Sequence, residues 1–168
     1  LGDVYKRQEE ISTAEAFAQM RANGNYILTE DITVSTPYAN DFSGTFDGNG
    51  HTITLRISST SYNTGLFSKI GQNGTVKNVI TAGSVTGRNV TGAVAGLNYG
   101  TIQKCWNQAN VTGTTNVGGI VGTNGSSSSS NLIHATVTGC YNTGSVKGTR
   151  YIGGIVGNSA NSTPVSYT

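Results

Sequence analysis

The clearest apolar pattern in the chain is strict alternation over Thr52-Ile53-Thr54-Leu55-Arg56-Ile57. Such a period of two predicts a half-buried strand. Tyr26-Ile27-Leu28 and Ile32-Thr33-Val34 are shorter strand candidates of the same kind. From Gly65 onward the alternation becomes a repeat. Short apolar groups open at 65, 92, 119 and 154, as Gly-Leu-Phe, Gly-Ala-Val, Gly-Ile-Val and Gly-Ile-Val. Two gaps are 27 residues; the third is 35, read as 27 plus an eight-residue insertion around Ser126 to Asn131. From Val79, Cys105 and Cys140 to Gly87, Gly113 and Gly148 the distance is always eight. A fixed period of this length marks stacked units that bury their apolar faces against one another.

Strands that recur in register can pair in parallel only through a crossover of a dozen or more residues. Here the linkers are rich in Gly, Thr, Ser and Asn, which are poor helix formers, so the crossover must itself be strand and turn. The expectation is an all-β, right-handed parallel β-helix. Its apolar columns are Phe67/Val94/Val121/Val156, Val76/Ile102/Val137 and Val85/Val111/Val146. The insertion is expected to be an exposed flexible loop. Phe46-Asp47-Gly48-Asn49-Gly50-His51 reads as a tight reversal, because Asp-Gly and Asn-Gly supply positive-φ positions. Ser12-Thr13-Ala14-Glu15 reads as a capping box opening about three helical turns that end near Gly24. The predicted organisation is therefore a capping helix over 9–25 and a β-helix over 26–163. Residues 1–8 and 164–168 fit no repeat and are expected to be a non-native leader and tail.

Charge changes the picture. All eight carboxylates lie at or before Asp47, and seven Lys or Arg residues follow Gly48 without one acid. The first 50 residues carry −5 and the rest +7. A glycosidase needs a carboxylate pair and calcium needs clustered carboxylate oxygens, so the repeats offer neither. No HExxH motif and no GxSxG elbow occurs, and His51 and His134 are the only histidines. No catalytic residue, metal or cofactor is expected. Nor does any apolar run reach the length of a membrane-spanning helix. Lys77, Lys104, Lys147 and Arg150 share no repeat column, so no nucleic-acid stripe is written.

Cys105 and Cys140 occupy one repeat position and should stack as reduced thiols, since in-register stacking points their Cβ vectors the same way. Beside them stand Trp106 with Asn107 and Tyr141 with Asn142. Two readings stay open for these four residues. They could form a ligand face for glycans or other surface polymers, or an aromatic stack with an Asn ladder that satisfies turn amides.

The order of motifs carries a resemblance. GGIVG followed by N-G or N-x-G, then C-[WY]-N and G-x-V-x-G, resembles the GLUG repeat of bacterial surface proteins. ISTAEAF, NYILTEDITV, GTFDGNGHTI and TGLF are similar to the segment that leads into those repeats. The likeness covers about Ile11 to Ser162. It implies a secreted or cell-surface bacterial protein, adhesin-like or accessory to an IgA-cleaving metallopeptidase, with a non-catalytic structural role. A polysaccharide-degrading β-helix, with Asp41 or Asp47 as its acid, is a further alternative.

Overall fold

The computed structural model describes residues 7–128 and 130–160. The expected tail over 164–168, and all of the expected leader but Arg7 and Gln8, lie outside them. The chain begins with β1 (Glu9–Ile11), α1 (Ala14–Ala18), β2 (Asn25–Leu28), β3 (Ile32–Val34) and β4 (Tyr38–Phe42). It continues through β5 (Thr45–Asp47), β6 (Thr52–Ser58), β7 (Asn63–Thr64) and β8 (Phe67–Ile70). The next circuit is β9 (Thr75–Lys77), β10 (Ile80–Thr86), β11 (Val90–Gly92) and β12 (Ala95–Asn98). A fourth comprises β13 (Thr101–Gln103), β14 (Trp106–Asn107), β15 (Asn110–Thr112), β16 (Thr115–Gly118) and β17 (Val121–Asn124). After β18 (Ser126–Ser128) and β19 (Asn131–Ile133) comes the last, β20 (Thr136–Thr138), β21 (Tyr141–Asn142), β22 (Val146–Lys147), β23 (Arg150–Gly153) and β24 (Val156–Ser159).

Each full circuit visits four sheets in one order, and every pairing within those sheets is parallel. The first sheet is β1-β2-β5-β9-β13-β20; the second holds β3, β6, β10, β14, β15, β21 and β22. The third is β7-β11-β16-β23 and the fourth β4-β8-β12-β17-β24. No sheet closes into a barrel, and the arrangement is β-helix-like. The core runs through the middle of the stack. Val76/Ile102/Val137 and Val85/Val111/Val146 pair in register as the sequence predicts.

The third predicted column is off by one residue. Ala95, not Val94, pairs with both Phe67 and Val121, and Val121 with Val156. The third and fourth circuits repeat at 26 residues, with Asn98 bonded to Asn124. Gly92, Gly118 and Gly153 then form one column at the corner between the third and fourth sheets. A Cβ there would lie 2.4, 2.0 and 1.9 Å from the carbonyl oxygens of Ala95, Val121 and Val156. The corner thus excludes every side chain. The doubled glycine at 118–119 offers two alignments, and only this one stacks the asparagines.

Three further expectations are corrected. Helix is confined to Ala14–Ala18, and Thr13 rather than Ser12 caps it, its Oγ1 accepting from the Ala16 amide at 3.1 Å. The helix ends at Gln19, whose φ of −91° and ψ of 1° leave the helical path. The Arg21 amide then donates to Tyr26 Oη at 2.7 Å instead of continuing the helical ladder. Before it, Glu9–Ile11 is a strand paired with Tyr26–Leu28. The segment Asp47–His51 is a corner between two sheets, not a hairpin reversal, with positive φ at Asn49 and Gly50. The insertion is an antiparallel hairpin, Ser126–Ser128 against Asn131–Ile133, anchored by the buried Ile133.

Candidate ligand-binding face

In a strand, neighbouring side chains point to opposite faces. Trp106 and Asn107 therefore diverge, as do Tyr141 and Asn142. Trp106 pairs with Tyr141 and Asn107 with Asn142, so each residue type forms its own column. The outer column is Thr52, Ile80, Trp106 and Tyr141. Its two rings stack with centroids 5.1 Å apart and planes inclined by 19°. Trp106 Nε1 donates to Thr143 Oγ1 at 3.0 Å. Trp106 is half-buried and Tyr141 exposed.

The inner column is a polar ladder. Asn107 Oδ1 accepts from Thr81 Oγ1 at 2.7 Å and from the Ala109 amide at 2.9 Å. Its Nδ2 donates to the Ala109 carbonyl at 2.9 Å and to Asn142 Oδ1 at 2.8 Å. All four hydrogen-bonding positions of a buried amide are thereby used. Asn142 repeats the clamp on Gly144, at 2.9 and 3.0 Å. The four residues grouped by sequence thus lie on two faces, aromatics outward and amides inward.

A second ladder escaped the sequence reading. Asn98 clamps Gly100 at 3.0 and 3.3 Å and donates to Asn124 Oδ1 at 2.7 Å. Asn124 in turn donates to the Ala135 carbonyl. The signal is the Asn that follows the two middle apolar groups, Asn98 and Asn124, visible once the 26-residue spacing is adopted.

Cys105 and Cys140 are both buried free thiols. The Cys105 amide meets Cys140 Sγ at 3.4 Å, and each thiol reaches the carbonyl two residues before it. Its hydrogen bond with Cys140, and then burial, hold the Cys105 thiol well above the ordinary range. Several carboxylates are engaged by neighbours, and Asp47 Oδ1 accepts from the Asn49 amide at 2.8 Å and from Asn78 Nδ2 at 3.0 Å at the edge of this face. Asp41 pairs with Lys69 at 2.6 Å, Glu9 with Arg21, and Asp31 with His51 at 3.3 Å. The Thr52 amide, and behind it the His51 ring, lower Asp31 below the usual carboxylate value. No group of three or more His, Cys, Asp or Glu gathers among the described residues.

Between the outer column and the neighbouring corner lies a shallow hollow of about 370 Å³. Ile80, Trp106 and Tyr141 form one wall; Asn49, Gly50, Asn78 and Lys104 form the other. The corner column Asn78, Lys104, Gly139 has φ of 55°, 53° and 62°. A left-handed backbone suits Gly and tolerates Asn, but costs a residue such as Lys about 1 kcal/mol.

Comparison with known proteins bears mainly on the fold. No family model matches the chain. A stretch of 65 residues, 37% of the chain, is 45% identical to Halomucin from Haloquadratum walsbyi, of which it spans 1%. The crystal structure of a Bacteroides ovatus protein, described as a candidate immunoglobulin A1 protease, superposes with a TM-score of 0.63. That match covers 91% of this chain and 62% of the other at 22% identity. The first likeness is one of sequence over that stretch alone, the second one of fold. The chain spans under two thirds of either protein. No described helix is long and apolar enough to cross a membrane.

Proposed function

We propose that this chain is a segment of a rigid, right-handed parallel β-solenoid of GLUG-like repeats, carried by a secreted or cell-surface bacterial protein. Its role is structural and adhesin-like: a non-catalytic stalk that presents hairpins or neighbouring domains. The carrying observation is the pair of Asn ladders, in which buried amides are spent on turns and on the next circuit. Groups committed in this way fix register and rigidity, and are not free for chemistry. α1, with Phe17 buried among aromatic rings, is read as the lid over the N-terminal end of the core. A repetitive array stabilised between neighbours is well suited to a spacer, and the resemblance in motif order supports the surface location.

Two measurements test this reading. Antibodies against the 126–133 hairpin should label intact cells of the source organism as strongly as lysed ones. Labelling only after lysis would overturn the surface assignment. Purified chain incubated with polysaccharides and with immunoglobulin A should leave both intact, and turnover of either would overturn the non-catalytic role.

A further inference from the structure

The hollow beside Trp106 is a groove with a direction. Its walls come from four successive circuits: Asn49 and Gly50, then Asn78 and Ile80, then Lys104 and Trp106, then Tyr141. With neighbouring parallel strands about 4.8 Å apart, it runs roughly 14 Å along the stack. One side is apolar and aromatic; the other is polar and carries Lys104 at one end. At its other end the Asp47 carboxylate is held by the Asn49 amide and Asn78 Nδ2 at 2.8 and 3.0 Å. Lys104 occupies a left-handed position whose equivalents are Asn78 and Gly139, the residue types that the backbone favours. Its stem runs over the space Gly139 leaves open, where an added Cβ would sit 3.6 Å from Lys104 Cγ. No carboxylate pairs with Lys104 among the described residues. A side chain kept where the fold disfavours it points to a role outside the fold.

We propose that this groove binds an acidic oligosaccharide, laid along the stack with its sugar anions on Lys104 and its apolar C–H faces against Ile80, Trp106 and Tyr141. The elongated shape fits a chain of rings. A single cation in the groove suits a sparsely charged polymer and cannot neutralise the closely spaced phosphates of nucleic acid. Extended peptide laid along the stack is disfavoured as well, because the groove crosses the strands. β10 and β14 are paired on each side, and of the strands lining the groove on this sheet only β21 lies at a sheet end among the described residues. This binding role is independent of the stalk reading and would hold for a solenoid of any length.

Trp106 is the only tryptophan, so its fluorescence reports on the groove directly. The 168-residue chain is titrated with a trigalacturonate, its neutral methyl ester and a sulfated trisaccharide. A saturable change is expected with an acidic sugar, carboxylated or sulfated, and the stronger of the two identifies the anion. Affinity should fall about tenfold in Lys104→Gln and with the ester, as for loss of one charge-assisted bond. Lys104→Arg should restore it, and Lys147→Gln, on another column, should leave it unchanged. Circular dichroism confirms that each variant is folded. Equal affinity for acid and ester, equal affinity in Lys104→Gln, or no saturable change with either acidic sugar would overturn the proposal.

Discussion

The two ends of the stack are built on different principles. Toward the N-terminus, Phe17, Tyr38, Phe42, Phe46 and Phe67 fill the core as one aromatic cluster, with ring centroids 5.0–6.0 Å apart. There the register is uneven: it shifts between Tyr38 and Asp41, and Phe67 lies 28 positions before its partner Ala95. From β9 onward large rings leave the core. Columns of Val, Ile, Ala, Cys and Asn take over, and the 26-residue spacing holds in all four sheets between the third and fourth circuits. Aromatic rings fill irregular space and tolerate irregular backbone. Small side chains and amides hydrogen-bonded to the next circuit leave room for one register only. Regularity in this fold therefore follows from what fills the core.

The contrast can be broken most severely in the ladder region. Val121→Asp places an unpaired charge between Ala95 and Val156 and should cost about 4 kcal/mol or more, read as loss of the cooperative melt. Phe67→Ala should cost about 3–5 kcal/mol in denaturant titration, since four rings surround that side chain. Asn107→Ala strands the Ala109 amide and carbonyl and should cost about 2–3 kcal/mol. Hydrogen exchange should then quicken at Ala109 and Gly144 while the aromatic end stays protected. Smallest is Lys104→Asn. It relieves the left-handed strain and should stabilise by about 1 kcal/mol or less, while weakening the groove's hold on acidic sugar.

Much of this was legible in the primary structure, because columns of Val and Ile recur at fixed distances from a Gly. Val85, Val111 and Val146 needed only counting. Val94 was placed wrongly because Gly118-Gly119 fits two alignments, and apolar pattern alone cannot choose between them. The deciding contact, Asn98 to Asn124, is a polar one inside the core. The expected helix is longer than the observed one because Ala-rich spacing to Met20 fits a helical period. The chain instead turns at Gln19 and the Arg21 amide is taken by Tyr26 Oη, a contact no local pattern displays. The hairpin carries no alternating pattern in its serines, so it read as loop. On the ligand face, the pairing of Trp106 with Tyr141 was visible. The groove was not, since it joins a strand column to a corner column whose left-handed backbone only a structure displays.

The central claim is that equivalent residues of successive circuits stack in parallel and in register. Methyl-resolved nuclear Overhauser spectroscopy of the folded chain tests it most directly. Cross-peaks are predicted from Val111 to both Val85 and Val146, and from Ile102 to both Val76 and Val137, without the short Hα–Hα contacts of antiparallel pairs outside residues 126–133. Absence of those methyl contacts, or Hα–Hα cross-peaks joining consecutive strands as hairpins, would contradict the account.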